Sequence, residues 1–359
     1  MKWWLACRWL LLVSVTVELV SFVNGYKLQS SKSMRQLAQL SESGRLDIDG
    51  PLLKPLLVER VSGTESNRRV QEFIAAHFVS LGWHVELDNF TDTTPDGPVQ
   101  FTNIIVTKDP TAEKRLVLAA HFDSLRKPDY AFIGATDSAV PCAILMDIAT
   151  SLNRALDDPA AHKKGTTLQM IFFDGEEAFK KWGPKDSIYG ARHLAERWSA
   201  PRMIDSDITG PTSTTTNQLA EIEVLVLLDL LGTTNPSIPN YFPATSGLFQ
   251  KLFRLEARLH QLKLLETVSV KTGEALLPIF DPHSPMTFQS YAIEDDHVPF
   301  LRRGVDILHC IPFPFPDVWH NSGDNADCID PSMVRNLAIL FRIFTAEYLE
   351  VDLLFHDEL

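Results

Sequence analysis

Leu168-Gln169-Met170-Ile171-Phe172-Phe173 runs directly into Asp174-Gly175-Glu176-Glu177, and the fold is decided there. A short run of bulky apolar residues reads as a strand buried on both faces. Asp-Gly breaks it, and two adjacent carboxylates follow where the strand emerges. In open α/β sheets, ligand sites form outside the carboxyl ends of the strands. Adjacent carboxylates cannot both be buried there without a compensating charge. A metal ion on one glutamate, with the other left free for proton transfer, supplies it.

Similar runs recur at 103–107, 115–120, 223–228 and 306–309. Helical spacing of Val70, Phe73, Ile74, Phe78 and Leu81 predicts a helix within 60–81, and residues 26–100 read as mainly helical. A second helix is predicted over 143–156, with Ser138 and Pro141 as start signals. Segments 201–220 and 269–290 read as irregular. Strands alternating with helices predict α/β architecture: a single globular domain with a mostly parallel central sheet flanked by helices.

A chain of 359 residues, 45% of them hydrophobic, supports a large core. Its net charge of −13 argues against nucleic acid as a partner and otherwise serves solubility. Met1 to Arg8 carry positive charge ahead of the apolar run 9–17, and Val23-Asn24-Gly25 offers small residues, so 1–25 reads as a signal peptide. Glu18 interrupts the run, and no later segment reads as membrane-spanning. The body is then 26–350, and the tail 351–359 closes on His356-Asp357-Glu358-Leu359, a signal of the kind read by an HDEL-type retrieval receptor. These ends predict the secretory pathway, with the endoplasmic reticulum lumen favoured over secretion. Asn89-Phe90-Thr91 is a glycosylation sequon in a polar, loop-like setting. Without Cys7, the odd set Cys142, Cys310 and Cys328 allows at most one internal disulfide, and Cys310 with Cys328 is one possible pair.

Polar residues gather at the ends of the buried runs: His121-Phe122-Asp123, Asp137, Glu176-Glu177, Asp229, Glu294 to His297, and Trp319-His320. Singly each has a plain structural reading, with Asp137 as a helix cap, His121 as a packed core histidine and Asp229 as a turn residue. A parallel sheet brings them all to one edge. Carboxylates with histidine and no thiolate suit a catalytic zinc site with an open position, whereas magnesium favours oxygen ligands alone.

The strings His-x-Asp, Gly-Ala-Thr-Asp-Ser and Asp-Gly-Glu-Glu, with a late His, resemble the zinc aminopeptidase superfamily. Longer ones are narrower: 134–142, 171–179, Asp295-Asp296-His297-Val298-Pro299-Phe300-Leu301-Arg302-Arg303-Gly304, and Phe315-Pro316-Asp317-Val318-Trp319-His320 are similar to animal glutaminyl-peptide cyclotransferases from about Asn103 to Leu349. That resemblance implies one zinc ion per chain, held by Asp137, Glu177 and His320, with Glu176 transferring the proton. Asp229 and Asp295 would form a hydrogen-bonded acidic pair sharing a proton. Trp182, Ile293, Phe315 and Trp319 would line the pocket for a glutamine side chain. His309, and His121 of the His-x-Asp string, would have supporting roles. Peptides and proteins with N-terminal glutamine are the implied substrates, and a monomer the implied state.

Two positions depart from the family pattern. Ala120 stands where relatives carry a cysteine that pairs at the position of Cys142, and Glu294 stands where vertebrate members usually have glutamine. Two alternatives stay open. In a dinuclear zinc aminopeptidase, His121 and Asp229 would complete a second metal site. An inactive peptide-binding protein on the same fold is the other.

Overall fold

A computed structural model describes residues 26–158, 165–203, 215–281 and 293–351. The leader-like segment 1–25 and the tail's HDEL sequence lie outside the described residues. The described residues form ten strands: β1 (His84–Thr94), β2 (Gly97–Thr107), β3 (Lys114–His121), β4 (Thr166–Phe173), β5 (Arg202–Met203), β6 (Thr215–Thr216), β7 (Ile222–Leu228), β8 (Ile238–Pro239), β9 (Phe280–Asp281) and β10 (Ile307–Cys310). Six form the central sheet in the order β1-β2-β4-β3-β7-β10. Strands β4, β3, β7 and β10 run parallel, while β1 and β2 pair antiparallel at one edge. The other four make two short ribbons.

Side-chain alternation divides β4 between two cores. Leu168, Met170 and Phe172 face the layer holding α1 (Ser31–Gln39), α2 (Glu65–Ser80), α3 (Val140–Asp157), α5 (Ser246–Gln261) and α7 (Pro331–Tyr348). Ile171 and Phe173 face α4 (Tyr189–Ser199) and α6 (Val298–Leu301). Each such buried side chain contributes about 1.5–3 kcal/mol over an exposed one. This two-sided burial explains why β4 is a continuous apolar run.

Three expectations need correction. Residues 84–100 are not helical but join the strand-like run 103–107 in a β-hairpin, turned at Pro95-Asp96. Its first strand sits at the sheet edge with one face largely exposed, so polar residues obscure the alternation. Helix α3 starts at Val140 without a side-chain cap. Ser138 instead donates its hydroxyl to Asp229. The same helix and its lead-in, 135–157, are long and apolar enough to cross a membrane by composition, but they are packed inside the fold. The described parts of the segments 201–220 and 269–290 contribute two-residue ribbon strands, turns and the start of a 3₁₀ helix at Gln218–Glu221.

The thiols of Cys142, Cys310 and Cys328 are all free, so the Cys310–Cys328 pairing is not formed. Ala120 is buried, and Cys142 Sγ donates to the His121 carbonyl at 3.1 Å. Asn89 lies on the exposed face of β1, not in a loop, and accepts from Thr102 Oγ1 at 2.9 Å.

Helices α1, α3 and α7 are tied by charge as well as by packing. The buried guanidinium of Arg342 pairs with Asp147 and also donates to the Leu37 carbonyl and to Ser41. Asp147 takes a further bond of 2.9 Å from Arg45. Removing one partner strands a buried charge, so Arg342→Met should lower the unfolding free energy by about 3–5 kcal/mol in urea titration.

Candidate metal centre and active site

The parallel strands end together, and their carboxyl edge carries the site. His121 closes β3, Asp174 to Glu177 follow β4, Asp229 follows β7, and His309 lies in β10. Gly175 turns the chain after β4 with φ of +76°, and a Cβ there would meet the Phe101 ring at 2.5 Å. Asp174 fastens this turn. It accepts from Ser62 Oγ at 2.7 Å, Asn67 Nδ2 at 3.1 Å and the Thr102 amide at 2.8 Å. Asp123 accepts from the amides of Glu176 and Glu177 at 3.1 and 3.2 Å, which aims both glutamates.

Asp137 comes from the tight turn 135–139 ahead of α3. Gly134 enters it with φ of +56°, and a Cβ there would lie 2.1 Å from the Asp137 carbonyl. Arg60 braces the turn from behind. Fully buried, it donates to the carbonyls of Ile133, Gly134 (2.9 Å) and Asp137 (3.2 Å). Asp324 accepts from the Thr136 amide at 2.8 Å and so joins this turn to the loop carrying His320. His320 has φ of +56°, a costly conformation for a residue with a Cβ and one that clusters at functional sites.

Asp137, Glu177 and His320 converge, each offering one ligand atom within 4.8 Å of the others. His320 Nε2 lies 3.3 Å from Asp137 Oδ2 and 3.5 Å from Glu177 Oε1. Asp137 Oδ2 and both Glu177 oxygens are buried without a hydrogen-bond donor among the described residues. Orphaned acceptors facing one imidazole fit a cation, and one nitrogen with two oxygens is a donor set that leaves a coordination position open. Without a metal, burial and then Asp137 raise the Glu177 carboxyl to about 7. Burial opposes protonation of His320, but the flanking carboxylates outweigh it and raise the imidazole to about 10.

His121, Asp137 and Asp229 form a second such trio, sharing Asp137 with the first. His121 Nε2 stands 3.0 Å from Asp137 Oδ1 and 3.4 Å from Asp229 Oδ1. Asp229 Oδ1 already accepts from Ser138 and from the Leu230 amide. Asp295 bonds His309 Nε2 at 2.7 Å and its neighbour Asp296's amide at 2.6 Å. The expected Asp229–Asp295 hydrogen bond is therefore not formed among the described residues, because each acid has taken other donors. Burial and then the charge of Asp295 raise the Asp229 carboxyl.

A cavity of about 530 Å³ opens over the centre. Asp137, Glu176, Asp229 and His320 line its polar part; Trp182, Ile293, Phe315 and Trp319 line its apolar part. Phe315 packs edge-on to Trp319 at 5.0 Å, and Trp319 stacks on His320 at 4.2 Å. Burial foremost pushes the Glu176 carboxyl well above the usual carboxylate range, with Glu177, Asp295 and Asp296 adding to it and His121 opposing. The structure thus gathers Asp137, Glu176, Glu177, Asp229, His121, His320 and the four apolar residues at one place, with Asp295 close to Glu176 and His309 behind it, and leaves Asn89 on the distant edge strand. Arg60 and Asp324 escaped sequence reading, since nothing in their neighbours marks them as buried. Asp123 was visible only as part of His-x-Asp.

The model for peptidase family M28 matches residues 103–345, and the chain belongs to that family. Closer relatives narrow its place. Glutaminyl-peptide cyclotransferase-like protein of Bos taurus is 44% identical over 305 residues, 83% of this chain and 74% of that protein. Glutaminyl-peptide cyclotransferase of Drosophila melanogaster is 44% identical over 295 residues, covering 82% and 78%. The crystal structure of Macrostomum lignano glutaminyl cyclase aligns with a TM-score of 0.76 at 37% identity, covering 93% of this chain and 98% of that one. Within M28, the chain is a member of the glutaminyl-peptide cyclotransferase family.

Arg60 acts on the centre only through the turn that presents Asp137. Arg60→Met should weaken metal binding about 10–100-fold, as loss of a supporting shell does. Chelator competition measures this, and Arg60→Lys should recover only part of it, since one ammonium cannot match the guanidinium's fork.

Proposed function

We propose that the protein is a zinc-dependent glutaminyl-peptide cyclotransferase that converts N-terminal glutamine of peptides and proteins to pyroglutamate with release of ammonia. One observation carries this reading. Glu176 lines the same cavity as Asp137 and His320, and its carboxylate makes no hydrogen bond among the described residues. A proton acceptor stands free beside a metal-binding trio under an aromatic wall.

Asp137, Glu177 and His320 would hold one zinc ion. When bound, it supplies Lewis-acid polarisation of the substrate's γ-carbonyl. Trp182, Ile293, Phe315 and Trp319 hold the glutamine side chain curled against its own α-amine, which supplies proximity for an intramolecular attack. The α-nitrogen bonds to the side-chain carbonyl carbon, and the bond from that carbon to the amide nitrogen breaks. Glu176 takes a proton from the amine and returns it to the departing nitrogen, so the products are a lactam and ammonia and no water is consumed. Asp295, backed by His309, and Asp229, held by Ser138, keep the acids around Glu176 in place.

A second reading is supported by the trio His121, Asp137 and Asp229, which could take another ion as a dinuclear aminopeptidase would. Incubation with a Gln-initiated peptide and an amino-acid amide separates the two. Loss of ammonia from an otherwise intact chain, with one zinc per protein by metal analysis, is expected. Release of a free amino acid, with two zinc ions, would sink the cyclase reading. Glu176→Gln should lower turnover about 10²–10⁴-fold while zinc is retained.

The leader-like 1–25 and the closing HDEL support residence in the endoplasmic reticulum lumen, with secretion as the alternative. Exposure of Asn89 supports use of its sequon. Mass analysis of protein from secretory cells, before and after glycosidase, should show cleavage of the leader and loss of one glycan. An unmodified Asn89 would refute its use.

A further inference from the structure

A second cavity, of about 270 Å³, adjoins the active-site cavity. Glu294 lines both, and its carboxylate accepts from the Trp182 indole at 3.1 Å, so this pair forms a shared wall. The next residues along the chain, Gly183 and Pro184, line the second cavity. The two sides differ in charge. Asp137, Glu176, Asp229 and Glu294 line the first, with no lysine or arginine among the described residues. Arg192, Arg302 and Arg303 line the second, against Glu196 and Glu294.

Arg302 and Arg303 keep donors that the fold does not use, and Arg192 is largely engaged by it. Arg192 is held by a 3.1 Å bond from Nε to the Ser187 carbonyl and lies 4.8 Å over the Tyr189 ring. Its buried Nη2 has no hydrogen-bond partner among the described residues, with Asp92 at 3.6 Å. Arg303 spends one nitrogen on the Pro299 carbonyl at 3.0 Å. Arg302 is exposed and makes no ion pair among the described residues.

We propose that the second cavity is a downstream peptide subsite that receives a carboxylate carried by the substrate beyond its second residue. The inference rests on the cyclotransferase reading. With the N-terminal residue in the first cavity, the peptide leaves past Glu294 and Trp182, advancing about 3.3–3.6 Å per residue. A carboxylate on the second residue meets Glu294 and is repelled. One placed farther along meets guanidinium groups, whose planar fork matches a carboxylate.

The test walks one glutamate through positions two to five of a C-amidated Gln-Ala-Ala-Ala-Ala peptide, using the zinc-loaded protein. Free-acid versions of shorter peptides distinguish a terminal carboxylate from a side-chain one. At one position beyond the second, KM should fall about fivefold relative to the neutral peptide, with kcat little changed, and the advantage should shrink at high salt. Replacing both Arg302 and Arg303 by alanine should bring the ratio of kcat/KM between acidic and neutral peptides towards one. Equal KM at every position, or an advantage that survives the double substitution, overturns the subsite. Failure of the neutral peptide to cyclise at all would instead refute the cyclotransferase reading, which keeps the two failures distinct.

Discussion

The burial of several carboxylates at one edge of one sheet is the constraint on which the remainder depends. Asp123, Asp137, Asp174, Glu176, Glu177, Asp229, Asp295 and Asp296 are all buried there. An isolated buried carboxylate is unfavourable unless something answers its charge. Asp123 and Asp174 are answered by backbone amides and neutral side chains, and Asp295 by His309. Asp137 and Glu177 retain orphaned oxygens facing His320, a donor set that fits a cation. The edge is thus divided into acids that build the turn and acids whose oxygens are left without a partner.

The supporting groups show how little of this depends on the ligands alone. Arg60 spends its charge on backbone carbonyls, fixing a turn and leaving the carboxylates free. Asp186 does the complementary work on the other side, accepting from the amides of Phe179, Lys180 and Lys181 and so shaping the loop that presents Trp182. Both are local solutions to unpaired backbone groups, which irregular chain near a site must always find. The geometry of the strand-end cluster is therefore held in good part by groups bonded to the backbone behind it.

Legibility in the sequence followed burial. The parallel strands and α3 were readable because both of their faces are apolar, and Asp-Gly-Glu-Glu was readable because polarity breaks so sharply after β4. The first strand of the edge hairpin was not, since β1 alternates weakly and carries Glu86, Asp88 and Asn89, whereas 103–107 of its partner were read. Its Asp96-Gly97 was nevertheless a turn signal. Ser138 read as a helix start, but its hydroxyl found a better acceptor in Asp229 across the site.

By itself the sequence determined the α/β plan and the identity of the acids and histidines at the strand ends, because periodicity and spacing are local properties, while its longer strings carried the resemblance to the family. Only the tertiary structure decided their partnerships. It gave Asp295 to His309 and Asp229 to Ser138, left the three thiols unpaired, placed Arg60 behind Asp137, and set an arginine-lined cavity across Glu294 from the acidic one. Those choices depend on which donor comes within reach of which acceptor in three dimensions, and residues as far apart as Arg60 and Asp137 carry no mark of that in their neighbours.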